Sequence, residues 1–236
     1  MFKSQKMHYQ QAWLMLMISA VLILAIGRFT NIDLMIEDFY YDESLKRFPW
    51  ADTWFANDFM HSYVKNVIVW FGYLLISMTV LDAVFRWERI SPLLRFRLRF
   101  VSAASVTVPA VIHGVRHFFS LHCPWSIDRY GGSAPFLKLF DALPDGMVAG
   151  HCFPAGHATV GLWLAAFLIF WLPHNPKKAL VVFFAGIALG FTLGWVQQMR
   201  GAHFLFHTLW STWLASLTIL TMLTLTTTYL NKKASS

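Results

Sequence analysis

Three short stretches of this chain place histidine beside glycine or arginine. In His151-Cys152-Phe153-Pro154-Ala155-Gly156-His157, proline and glycine mark a backbone turn, and a long apolar run begins at once at Ala158. His157 is therefore expected at the first turn of a helix, where the positive end of the dipole and free N–H groups favour a bound anion. Arg200-Gly201-Ala202-His203, with His207 four residues on, joins two further apolar runs. His113, Arg116 and His117 close another within a turn and a half, and positions three and four apart share a helix face. Two imidazoles at helix ends, flanked by cations, suit phosphoryl transfer. One attacks phosphorus and becomes a phosphohistidine, the other protonates the departing oxygen, and backbone N–H groups and arginine hold the equatorial oxygens. That chemistry requires no metal or other cofactor. A metal centre is the competing reading, because His113 with His117 and His203 with His207 have the i,i+4 spacing that can chelate zinc, with His151 and Cys152 as further ligands. It ranks lower, since the acidic ligands and general base of a metallohydrolase have no evident place. For His8, His122 and His174 an ordinary hydrogen-bonded side chain is preferred.

The elements that must position these groups are membrane helices. The 236 residues are 57% hydrophobic, 17% aromatic and only 13% charged, unlike an ordinary soluble chain. A net charge of +7 would suit nucleic acid if it formed a basic face, but the Lys and Arg residues fall in the gaps between apolar runs, which membrane topology explains better. A span needs about 20 apolar residues. Six stretches qualify, roughly 12–29, 64–85, 100–120, 156–173, 179–199 and 204–230, and the expected class is an all-α polytopic membrane protein forming one domain over 1–236. The first run is long for a signal-peptide core and has no small-x-small site after it, so a retained helix is expected.

Lys and Arg concentrate in cytoplasmic segments. Lys3 and Lys6, the arginines at 86, 89, 95, 97 and 99, Lys177 with Lys178, and Lys232 with Lys233 all fall on one face. The other face holds the 31–63 segment, with seven acids against Lys46 and Arg47, and the 121–153 loop, with Arg129 and Lys138. N-in, C-in is the expected orientation. The 31–63 segment, rich in Phe, Tyr and Trp, is expected to lie in the outer interface. Seven of the ten histidines then fall at the outer ends of helices three to six, more than scattered core placement would give.

These residues resemble the type 2 phosphatidic acid phosphatases, a family of membrane enzymes acting on lipid phosphates and pyrophosphates. The family pattern is Lys, six residues, Arg-Pro; Pro-Ser-Gly-His; and Arg, five residues, His, three residues, Asp. Arg116 with Cys123-Pro124, then Pro154-Ala155-Gly156-His157, then Gln197 with His203 and His207 stand at those positions. The resemblance covers roughly 100–220, a phosphatase-like core, and is to a divergent bacterial branch. It implies that His203 is the nucleophile, His157 the general acid and Arg116 a phosphate ligand beside Gly156. Cys123 and Gln197 replace two arginines, Ala155 a serine, and His207 the aspartate that orients the nucleophile. Arg200 and Arg129 are the available replacement cations, and His207, or else Asp128 or Asp145, the replacement orienting group. Implied with it are a bacterial inner membrane, an outer-leaflet site and a lipid phosphate substrate: a polyprenyl pyrophosphate, lipid A or a phospholipid phosphate. A catalytically inactive lipid-binding member of the same fold is the remaining alternative. Cys123 and Cys152 would both face the oxidising periplasm, each beside a motif, and are expected to form a disulfide closing a loop of about 30 residues.

Overall fold

A computed structural model describes residues 2–235, with side chains over 9–227. The described chain is helical, with isolated β-bridges at Asp42 with Arg47 and Ile127 with Ala134. We number the helices α1 (Phe2–Phe29), α2 (Ile32–Tyr40), α3 (Lys65–Phe85), α4 (Pro92–Arg116), α5 (Thr159–Leu162), α6 (Pro176–Met199) and α7 (Leu205–Ser235). Among the described residues, five helical segments are long and apolar enough to cross a membrane: Tyr9–Phe29, Trp54–Phe85, Pro92–Arg116, Pro176–Met199 and Leu205–Thr227.

Two boundaries differ from the sequence expectation. The second span was expected from 64, yet the helix begins at Trp54, and Trp54–Val64 is wound as a π-helix whose start is capped by the Thr53 hydroxyl, accepting from Ala56 N–H at 3.3 Å. Asn57, Asp58, His61 and Lys65 interrupt the apolar pattern there, so the sequence reads as loop. The fourth expected span, 156–173, forms a helix only over Thr159–Phe170, and Trp163–Phe170 is wound as a 3₁₀-helix. Four α-helical residues at 1.5 Å and eight 3₁₀ residues at 2.0 Å rise roughly 22 Å, short of the ~30 Å hydrocarbon layer.

The short α5 unit packs backbone to backbone on α6. A Cβ on Gly161 would lie 2.7 Å from Gly190 Cα, and one on Gly186 2.3 Å from Ala165 N, so glycine is required for this approach. Small residues serve this purpose between membrane helices, where apolar burial drives association little. The core then runs through Val101, Ala104, Val108 and Ile112 of α4, Leu162 and Ala166, Leu193 of α6, and Ala215 and Ile219 of α7. Large apolar side chains such as Leu14, Val21, Trp70, Val80 and Val181 point outward.

Successive long elements run in opposite directions. At one end buried Asp82 of α3 pairs with Arg95 at 2.7 Å and Arg99 at 3.2 Å, and Arg97 donates to the Leu172 carbonyl at 3.0 Å. The ends of α1, α4 and α6 and the starts of α5, α7 and the π-helical stretch gather at the opposite end. Arg28, closing α1, pairs there with Asp141, and Lys138 donates to the Thr30 carbonyl at 2.9 Å. α2 lies over the same end with its acids facing inward: Asp33 and Glu37 are buried. Its Asp38 holds Arg129 by two contacts of 2.7 and 2.8 Å, and Tyr130, Tyr41 and Phe48 pack beneath it.

Candidate active site

The turns that carry the motif histidines are tied together by their own backbones. α6 ends at Arg200, and Gly201 takes a positive φ of 68°, with Gly201 N–H on the Gln198 carbonyl at 2.8 Å and Ala202 N–H on the Gln197 carbonyl at 2.9 Å. Such a left-handed residue ends a helix at little cost when it is glycine. A side chain here would also strike Phe48, 2.3 Å from an added Cβ. The chain re-enters a helix at Leu205, and Asp33 of α2 accepts from Phe206 N–H at 3.0 Å, capping α7 from outside its own sequence. The 154–157 turn is fastened to α7 by Ala155 N–H on the His207 carbonyl at 3.2 Å, with the Ser211 hydroxyl 2.9 Å from both the Ala155 and His207 carbonyls.

These connections bring His157 and His203 together. His157 Nδ1 lies 3.4 Å from His203 Nε2, and the ring centroids are 5.6 Å apart. His203 is buried, and its other nitrogen, Nδ1, is 3.4 Å from Cys152 Sγ. Cys152 is disulfide-bonded to Cys123 with a Cα–Cα distance of 5.3 Å. A disulfide sulfur carries no proton, so Nδ1 is the donor in this contact and Nε2 is left with the lone pair. Burial holds the His203 imidazole well below the ordinary histidine range, reinforced by His207, His157 and Arg116 and opposed by the Cys152 backbone. The result is a neutral, fixed ring with its free nitrogen turned to His157, as a nucleophile requires.

Arg116 reaches the same point from α4. Its Nε donates to the His151 carbonyl, and a Cβ on Gly156 would stand 3.4 Å from its Nη1 and 3.7 Å from His113 Cε1. The Gly156 backbone and the Arg116 guanidinium thus face each other beside His157. Arg200 approaches from α6, donating from Nη1 to Gln197 Oε1 at 3.0 Å and from Nη2 to Asn57 Oδ1 at 2.9 Å. Arg129 is placed elsewhere, on Asp38 of α2. His207 lies behind His203, with ring centroids 5.9 Å apart, but takes no hydrogen bond from it; His207 Nδ1 is buried without a partner among the described residues. The contact to His203 Nδ1 expected of His207 is made instead by Cys152 Sγ.

Two contributors were missed in the sequence. The His61 ring lies 4.9 Å from the His157 ring, tilted 52° to it, and its Nδ1 is 3.2 Å from Gln197 Nε2. Asn57 holds Arg200, as above. Both come from the π-helical stretch, inside the 31–63 segment expected to lie in the outer interface. The signal was present in the spacing of Asn57 and His61, but nothing local distinguishes it from a solvated turn.

Among the described residues, the group of three metal-type ligands whose atoms converge is Cys123, Cys152 and His203. Its two sulfurs are joined to each other, which removes the thiolates a soft metal would take. Below the histidines a groove of about 390 Å³ runs between α3, α4 and α5, bounded by Gly72, Ile76, Ser105, Pro109, Val160 and Trp163, with Arg116, Gly156 and His157 at its head.

A family model described as the PAP2 superfamily matches residues 98–231. The chain is also similar to the Lipid A 4'-phosphatase of Francisella tularensis subsp. novicida (strain U112), 24% identical over 185 residues that cover 75% of this chain and 78% of that protein. No solved structure matches it.

Proposed function

The chain belongs to the PAP2 superfamily, and from that premise we propose that it removes phosphate from a lipid headgroup through a phosphohistidine formed on His203. The contact between His157 Nδ1 and His203 Nε2, 3.4 Å apart at the head of an apolar groove, carries this reading. A phosphoryl group entering between the rings takes the place of that contact. The His203 Nε2 lone pair attacks phosphorus, the bond to the lipid oxygen breaks with its electron pair on oxygen, and His157, entering as the imidazolium beside the bound phosphate dianion, gives that oxygen its proton and is left neutral. Arg116, the Gly156 backbone and Arg200 face the equatorial oxygens, where charge gathers. Water then attacks the phosphohistidine, giving up its proton to His157; the N–P bond breaks and inorganic phosphate leaves.

The lipid part descends along the groove. From Arg116 to Ser105 the α4 wall spans eleven residues, about 16 Å of helix rise, and the lining below the histidines is chiefly apolar. A substrate with its phosphate at the surface and a hydrocarbon tail in the bilayer fits that arrangement. Six crossings, the fourth being Thr159–Phe170 together with the turns at 156–158 and 171–174, both termini cytoplasmic and the site at the outer leaflet of a bacterial inner membrane, agree with the Lys and Arg distribution and with a disulfide beside the site. Lipid A is the first substrate to test, given the similarity to a lipid A phosphatase, with a polyprenyl pyrophosphate and phosphatidylglycerol phosphate beside it.

The test is phosphate release from these three lipids in detergent by wild type, His203→Ala and His157→Ala. Wild type should release phosphate and form an acid-labile phosphoenzyme, His203→Ala should do neither, and His157→Ala should slow both steps. Equal phosphate release by wild type and His203→Ala would remove that imidazole from the mechanism.

A further inference from the structure

We propose that His61 is a phosphate-binding residue of this site, a neutral imidazole whose Nε2–H donates to the phosphoryl oxygens in place of the guanidinium absent at position 197. The assignment rests on the phosphatase reading above and lies outside the stretch that the family model matches, 98–231.

Hydrogen bonds fix the tautomer. Gln197 Oε1 accepts from Arg200 Nη1 at 3.0 Å, which turns the amide nitrogen of Gln197 toward His61 Nδ1, 3.2 Å away. An amide nitrogen only donates, so Nδ1 must present its lone pair and the ring proton must sit on Nε2. The His61 ring is 4.9 Å from His157, which in turn is 5.6 Å from His203. Among the described residues the Nε2–H of His61 has no other hydrogen-bond partner, which leaves it as a donor on a ring beside His157. Gln197 is itself buried and reaches phosphate through its neighbours: one end of its amide sets the His61 tautomer, the other steadies Arg200. Asn57, on the same π-helical stretch as His61, accepts from the second Arg200 amino group at 2.9 Å. One buried amide thus couples two donors, where an arginine would supply both from a single side chain.

An ordinary packing role for His61 makes a different prediction, and the measurement uses full-length protein in detergent, a short soluble phosphomonoester as substrate and inorganic phosphate as competing product. A Ki does not depend on how much of a variant is folded, so lost material does not imitate lost binding. His61→Ala and His61→Asn should raise the phosphate Ki and the KM about tenfold or more, in the range of a hydrogen bond to a charged group. His61→Gln should recover most of that loss, because its amide nitrogen stands where Nε2 stood. Gln197→Leu should cost less on top of His61→Ala than it does in wild type, because only its support of Arg200 is then left to lose. An active wild type with an unaltered phosphate Ki in His61→Ala, a glutamine variant as impaired as alanine, or full additivity with Gln197→Leu would overturn the assignment alone. A wild type that neither binds nor releases phosphate would overturn it together with the phosphatase reading.

Discussion

Gly72 of α3 separates a lipid-binding groove from a merely unfilled one. A Cβ at this position would lie 3.5 Å from Trp163 Cζ2 and 4.0 Å from Ser105 Cβ, both ordinary contacts, so Gly72→Phe introduces its first carbon without strain and sends its ring into the groove. The wall below, from Gly72 to Ile76, is one helical turn or about 6 Å, room for roughly five methylene groups. The displaced tail moves into lipid or detergent as apolar as the groove, so packing contacts are lost and not a transfer from water; at about three contacts of ~0.15 kcal/mol for each methylene, a substrate that loses this part of the groove forfeits roughly 2 kcal/mol, about thirtyfold in kcat/KM. The chemistry at His203 is untouched, so a short soluble phosphomonoester should be hydrolysed within about twofold of the wild-type rate. The assay is phosphate release from a long-chain lipid phosphate and from the soluble ester, wild type beside Gly72→Phe. Equal losses on both substrates, or none on the lipid, would refute the placement of the tail.

Three further outcomes follow from contacts around the site. Cys123→Ser should lower stability by ~3–4 kcal/mol, the chain-entropy value for a loop of this length, seen as a fall in Tm that reductant reproduces in wild type and does not deepen in the variant. Burial raises the Asp33 carboxyl from 3.8 to about 6, opposed by the Phe206 N–H and Lys138; its folded state holds a proton more tightly than its unfolded state. Stability from this group is therefore full below about pH 4 and lost as pH rises toward 6, up to ~3 kcal/mol, and the Tm of wild type relative to Asp33→Asn should fall across that window; a flat difference would show that Asp33 titrates normally. His207→Asp restores the family residue but should lower Tm without raising kcat, because His203 Nδ1 is already held at Cys152 and a buried carboxylate would find no donor; a kcat above wild type would show that Nδ1 is free to turn.

Much of the site was legible because its residues announce themselves locally. Gly156 beside His157 and Gly201 near His203 are turn signals at the ends of apolar runs, and the structure places both rings at one end of the bundle, beside Arg116. Partnerships across the chain were not legible. Arg129 reads from the sequence as an available replacement cation, but its partner, Asp38, lies 91 residues away in α2. His61 and Asn57 sit in a polar-interrupted stretch where composition suggests a loop, and only the π-helical winding aims them at α6. Helix length failed for a similar reason: the apolar run from Thr159 to Phe170 has the composition of a full span, whereas winding and glycine contacts set its rise.

The replaced motif positions make electrostatic sense when counted together. The family pattern of Lys and two Arg against one Asp carries two net positive charges, about what a phosphate dianion needs. Arg116 and Arg200, with uncharged groups at Cys123, Gln197 and His207, carry the same net charge with fewer ions. The field on a bound phosphate is thereby kept, while the donor geometry changes: Cys123 has become half of the disulfide that orients His203, and Gln197 the link between Arg200 and His61. Each remaining arginine then supplies half the positive charge of the pocket. Arg116→Ala and Arg200→Ala should each reduce kcat/KM by ~10- to 150-fold, equivalent to 1.5–3 kcal/mol for a hydrogen bond to a charged group, and each should weaken inorganic phosphate as an inhibitor. Arg129→Ala should leave both quantities near wild type, since its charge is already matched by Asp38. An Arg200→Ala enzyme of full activity would mean that the charge of the pocket comes from elsewhere, and that Gln197 is simply a lost arginine.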